Sequence, residues 1–194
     1  MIAAVEDLLS EAVVKKLVAA IRPELSISFV ARNGRSHIEK KARELNRAAH
    51  KVPVLILADL DRPQPCPADL ISQFIQGAPG PMLLFRIAVM EIESWIMADR
   101  DGFAGFLGVP PHRIPANTDS VPQPKEFIVN LARKSKRRNI REDLVPAPGG
   151  TAAIGPAFNP RIASFVVNEW DFSRAAHASP SLRRAIERLG EAFK

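Results

Sequence analysis

The stretch VLILADLDRPQPC, residues 54–66, runs five apolar residues straight into two aspartates placed two apart. Val54, Leu55, Ile56, Leu57 and Ala58 read as a strand buried on both faces, the pattern of a parallel sheet covered by helices. Asp59 and Asp61 then stand at its exit, and Pro63, Pro65 and Pro67 end any regular ladder just beyond. An open α/β sheet keeps its ligand crevice at that edge. If the extended geometry lasts through Asp61, both carboxylates point the same way. Two like charges held so close are costly without something positive between them. A divalent metal is one reading of the pair, and a turn-forming, helix-capping role is the other.

Outward from this strand, apolar and polar residues keep alternating between strand and helix spacing. IAAV at residues 2–5 is a strand, after which Leu9, Val13, Leu17, Ala20 and Ile21 recur at helical spacing. Ile27, Phe29 and Ala31 alternate as a second strand. After Asn33-Gly34, Ile38, Ala42, Leu45 and Ala49 share one face of a charged helix running from Ser36 to His50. Beyond VLILA come a helix around Asp69 to Gln76, a Gly/Pro loop and a fourth apolar run from Met82 to Met90. Strands separated by helices predict right-handed parallel crossovers. The fold class is therefore α/β, a mostly parallel, Rossmann-like four-stranded sheet flanked by helices.

Past Gly105 the character shifts to helix and loop. Helices are expected near Pro124 to Lys134, Pro160 to Asn168 and Ser181 to Ala192. Asn159 and Ser179 precede Pro160 and Pro180, the pattern of a helix cap followed by proline in the first turn. The expected organisation is an α/β core over residues 1–108 with a mainly helical C-terminal extension over 109–194, packed together as one compact unit.

Composition narrows the chemistry. A chain of 194 residues with 46% hydrophobic content can bury a real core. The single Cys66 rules out an internal disulfide and any multi-cysteine zinc site, which suits a reducing cytoplasm. His37, His50, His112 and His177 are scattered, so a bound metal would be held by oxygen. No stretch approaches a membrane span, and Met1 leads into a strand without a basic leader, so a soluble, unprocessed, cytoplasmic protein is expected. A formal charge of +6 and a pI near 9.9 favour a polyanionic partner. VPAPGGTAAIGPAFNP, residues 145–160, lacks the lysine of a phosphate-binding loop, so the chain is not by itself a P-loop ATPase.

Glu6 follows the first strand as Asp59 and Asp61 follow the third, so a parallel sheet would gather all three along one edge. Glu6 alone reads either as a helix-start residue favoured by the helix dipole or as a catalytic group. In MEIESWIMAD, residues 90–99, Glu91 and Glu93 share a face if the fourth strand continues. If a helix starts at Glu91, they diverge, and Ile92, Trp95, Ile96 and Asp99 form one stripe. The helical reading is preferred, with Trp95 and Ile96 in the core and Glu91 as the functional member.

The segments AAVEDLLSEAVVKKLV, VLILADLDR, RIAVMEIESWIMAD and ASPSLRRAIERL, in that order, resemble the Toprim-like family catalogued as domain of unknown function 4276. That family is related to the overcoming-lysogenization-defect type nucleases. The resemblance spans essentially the whole chain and implies a Toprim-like core with a glutamate and a DxD handling divalent metal in phosphodiester chemistry. It implies Glu6 as the catalytic glutamate and Asp59 and Asp61 as the metal-holding DxD. Glu91, near the end of the fourth strand, is expected beside them as a further metal ligand, and hard carboxylate oxygens suit Mg²⁺ or Mn²⁺ as the cofactor. Many Toprim proteins have glycine after the glutamate, whereas this chain has Asp7, which could add a metal-facing oxygen. The absence of tyrosine excludes topoisomerase chemistry through a phosphotyrosine.

RKSKRRNIR, residues 133–141, holds six basic residues in nine. Arg133, Lys134, Lys136, Arg137, Arg138 and Arg141 exceed what a helix C-terminus needs and suit a phosphate backbone, DNA or RNA. Phe127 lies upstream at a core-like position, so base stacking is not expected. The leading expectation is a metal-dependent nuclease or related phosphodiester-processing protein, and the family resemblance alone implies a separate ATPase as its partner in a phage-defence module. The alternative is a non-catalytic nucleic-acid- or protein-binding subunit of the same fold. A haloacid-dehalogenase type phosphatase fits poorly, because its DxD follows the first core strand and this one follows the third.

Overall fold

Four short apolar segments build the sheet: β1 (Ile2–Ala4), β2 (Ser28–Ala31), β3 (Val54–Asp59) and β4 (Leu83–Ala88). The computed structural model describes residues 1–31, 34–61 and 66–193. The strands are all parallel, in the order β2-β1-β3-β4. Asn33, Pro63 and Pro65, named above as turn and ladder-ending residues, lie outside the described residues. Pro67 opens the helix after β3, where its missing N–H is no loss.

The crossovers are helices α1 (Leu8–Ile21), α2 (Arg35–Ala48) and α3 (Pro67–Ile75). Every residue of β3 is buried, as its unbroken apolar run demands. Its alternate side chains feed opposite layers. Leu55 and Leu57 join the larger core with α1, whereas Val54, Ile56 and Ala58 join a second core with α2 and α3. The helical pattern of Ile38, Ala42 and Leu45 does what its spacing predicts, packing α2 on the sheet.

After β4 the chain is helical. It forms α4 (Ile92–Met97), α5 (Arg100–Leu107), α6 (Pro124–Ala132), α7 (Arg138–Leu144), α8 (Phe158–Asn168), α9 (Phe172–Ala178) and α10 (Pro180–Glu191). A 3-10 turn at Pro111–Arg113 precedes α6. These helices share the larger core with α1: Trp95, Phe103, Phe165, Trp170 and Leu182 all pack into it. Ser179 caps α10 by accepting the N–H of Leu182. Asn159 does not cap α8, because that helix starts one residue before it, after Ala157. No helix is long and apolar enough to cross a membrane among the described residues.

Candidate functional site

The order β2-β1-β3-β4 places the topological switch between β1 and β3, since the chain leaves one toward β2 and the other toward β4. Crevices at such points form outside the carboxyl ends of the strands. Glu6 and Asp59 occupy those two ends. Glu6 stands just before Asp7, which caps α1 by accepting the N–H of Ser10 at 2.9 Å. Asp7 therefore does the capping work, and the Glu6 carboxylate crosses to the neighbouring strand. Its Oε1 accepts the backbone N–H of Asp59 at 2.9 Å.

Asp59 is buried, and its Oδ1 has no hydrogen-bond partner among the described residues. Burial, reinforced by the charges of Glu93 and Glu6, pushes its carboxyl well above the usual aspartate range. Glu6 is also raised, first by burial, while the Asp59 N–H works against the shift. Two carboxyls whose pKa values are both raised, chiefly by burial, thus meet at the switch point.

Asp61 does not share their face. The extended geometry stops at Asp59, and Asp61 adopts a left-handed φ of 62°. Its N–H donates to the carbonyl of Met90, itself left-handed, at 2.7 Å. The exposed carboxylate instead accepts from Arg35 Nη1 at 2.9 Å, at the start of α2. The expectation of two aligned aspartates is overturned, because it required a strand two residues longer than the one that forms.

The MEIESWIMAD segment resolves into helix α4, with Glu91 in extended geometry as its N-cap residue. Trp95 and Ile96 are core residues, as the helical stripe implied. Asp99 turns away from the site: it caps α5 and holds Arg174 through two hydrogen bonds of 2.8 and 2.9 Å. Glu93, not Glu91, is the member buried toward Asp59. It has no solvent exposure, and neither carboxylate oxygen has a hydrogen bond among the described residues. Burial pushes its carboxyl up to about 8, against the pull of Lys125.

Lys125, near the start of α6, is the residue the sequence did not reveal. Its Nζ lies 3.6 Å from Glu93 and 3.9 Å from Glu91, and its backbone N–H donates to Glu91 at 3.3 Å. Burial disfavours the ammonium, yet Glu93, Glu91 and Asp59 together hold its pKa above the usual lysine range. No local pattern could have announced it, since 34 positions separate it from Glu91.

The chain matches no family model, no curated protein and no solved structure. The site therefore has to be judged on its own donors. Among the described residues no group of three or more His, Cys, Asp or Glu side chains is placed to hold a metal ion. The adjacent pair Glu6 and Asp59 still fits Mg²⁺, which is commonly held by one or two carboxylates, with water and substrate phosphate completing its shell. The buried Asp59 Oδ1 without a partner is the observation behind that fit.

The basic run is split between loop and helix. Arg133 and Lys134 follow α6, Lys136 lies in the loop, and Arg137, Arg138 and Arg141 belong to the start and body of α7. All six are exposed. Three already serve the fold: Arg137 donates to Phe106 O at 3.2 Å, Arg138 pairs with Glu142 at 2.7 Å, and Arg141 donates to Ser135 O at 2.6 Å.

Proposed function

We propose that this chain is a Toprim-like, metal-dependent phosphodiester-processing protein acting on nucleic acid, with Glu6 and Asp59 at the heart of its site. The observation that carries the reading is an unpartnered, buried aspartate oxygen beside a half-buried glutamate at the switch point of a parallel sheet. Asp59 and Glu6 would hold Mg²⁺ or Mn²⁺, with Glu93 behind them. The ion would neutralise charge on the phosphoryl oxygens and lower the pKa of a water. Glu6 has one oxygen fixed by the Asp59 N–H, which leaves the other either to hold the ion or to accept a proton from a water as general base. Lys125 supplies positive charge where a phosphate would arrive. Arg133, Lys134 and Lys136 supply phosphate contacts further along. A partnership with a separate ATPase follows from the motif resemblance.

The test is cleavage of supercoiled plasmid and of single-stranded DNA and RNA with Mg²⁺ or Mn²⁺. Asp59→Asn keeps the shape of the buried side chain and should lower the rate by roughly 100-fold or more. Asp61→Asn removes an exposed charge that pairs with Arg35 and acts on Glu6 only through space, so it should stay within a few-fold of wild type. Equal cutting by wild type and Asp59→Asn would sink the reading. One feature favours the non-catalytic alternative: the Lys125 ammonium already lies 3.9 Å from Glu91 and 3.6 Å from Glu93, where an ion would otherwise supply positive charge. Nucleic-acid binding by a folded wild type that never cuts would establish that alternative.

A further inference from the structure

Helix α6 carries Lys125 at the acidic site and, further along, one wall of a separate cleft of about 460 Å³. Phe127, Asn130, Leu131 and Lys134 fall at positions i, i+3, i+4 and i+7 and line that cleft together. His112 and Arg113, from the 3-10 turn before α6, form the opposite wall. Phe127 was expected in the core. It is half-buried instead, packed on the core and also facing the cleft.

We propose that this cleft seats a single-stranded nucleic acid, with a base stacked on Phe127 and flanking phosphates on Arg113 and Lys134. The inference rests on the nucleic-acid reading above and names the form of its substrate. Three observations support it. Among the described residues no acidic side chain lines the cleft, whereas Arg113 and Lys134 do, with the His112 imidazole beside them. Neither Arg113 nor Lys134 is held by an ion pair among the described residues, so both are available to phosphate. The ring is fixed by its packing against the core, which is what an aromatic stacking platform needs, and the exposed Asn130 amide beside it offers both a donor and an acceptor to a base edge.

A duplex keeps its bases stacked inside and cannot use such a platform, so the geometry favours a single strand. The same helix also gives the direction of the strand. Lys125, in the first turn of α6, and Lys134, two residues past its end, are nine positions apart, roughly 13 Å at the helical rise, a span of a few nucleotides from the stacking cleft to the acidic site. The larger groove of about 750 Å³, walled by the loop from Val145 to Pro156, is a weaker candidate. It contains Glu142 and no aromatic side chain, and its Arg141 is tied to Ser135.

The experiment is fluorescence anisotropy of a labelled oligothymidine and a matched duplex, in chelator, so that binding is read apart from cleavage. Phe127→Ala and Phe127→Leu should each weaken binding of the single strand roughly tenfold and leave duplex binding unchanged. Lys134→Ala, at an exposed position, should lower the slope of log K against log salt by about 0.7. Photo-cross-linking with a 5-bromouracil strand should map to the peptide containing Phe127. Phe127→Leu keeps an apolar group packed on the core, so its melting temperature separates lost stacking from lost fold. Wild-type affinity in both folded Phe127 variants would overturn the inference, as would cross-links elsewhere or equally strong competition by polyglutamate. If metal-dependent cutting then persisted, the phosphodiester reading would stand without this cleft. No binding of any nucleic acid by wild type would overturn both.

Discussion

Glu93 shows what a single buried carboxyl does to this molecule. Its folded pKa of about 8 lies above its ordinary value of 4.5, so between those pH values the folded chain binds the extra proton. Its contribution to stability is therefore greatest on the acid side and is lost as pH rises through the folded value. Asp59 and Glu6 shift in the same direction, chiefly for the same reason, burial. In chelator, the melting temperature of wild type should fall between about pH 5 and about pH 8, and Glu93→Gln should flatten that fall. An unchanged slope in the variant would mean that Glu93 is not the group responsible. The sequence offered no way to rank Glu93 over Glu91. All six residues of α4 are buried, so the helix has no polar face to contrast with an apolar one. Asp61 was misplaced for a different reason. A left-handed turn at a residue other than glycine depends on a distant acceptor, here the carbonyl of Met90, which a local pattern cannot display.

At the scale of elements, the sheet and its crossovers were legible because each is written in a contiguous stretch. β3 is a closed apolar run, α2 an amphipathic stripe, and α10 a cap followed by proline. The cap is tied into a larger network: Ser179 Oγ donates to Asp119 at 2.6 Å, and Ser181, the second residue of α10, accepts from the indole N–H of Trp95 at 2.6 Å. Ser179→Ala should therefore cost at least the roughly 1 kcal/mol of an ordinary helix cap, measured by urea denaturation. The long loop between α7 and α8 gave no such signal, yet its position is tightly constrained. A Cβ on Gly155 would stand 2.4 Å from Asp143 O and from the Leu144 carbonyl carbon. Gly155→Ala should displace the loop from the end of α7 and lower stability by several degrees in thermal melting. Asn159 read as a cap and is not one, since α8 begins before the proline that suggested it.

Across the whole molecule, the apolar pattern specified two cores, one on each face of the sheet, and the parallel topology that brings Glu6 to Asp59. It did not specify which charges would meet, because Lys125 reaches the acidic edge only once the C-terminal helices have packed against α1. That residue has a consequence for how the site waits. An ammonium fixed to the scaffold acts as a counterion that never diffuses away, present at a high effective concentration whatever the solution contains. The fold therefore needs no dissolved cation to keep its acidic residues together, so in chelator the chain should still melt cooperatively as a folded protein, with added Mn²⁺ raising the melting temperature. Any incoming ion must compete with this resident charge. On the proposed metal reading, Lys125→Met should tighten Mn²⁺ binding measured by calorimetry, even as it destabilises the empty protein.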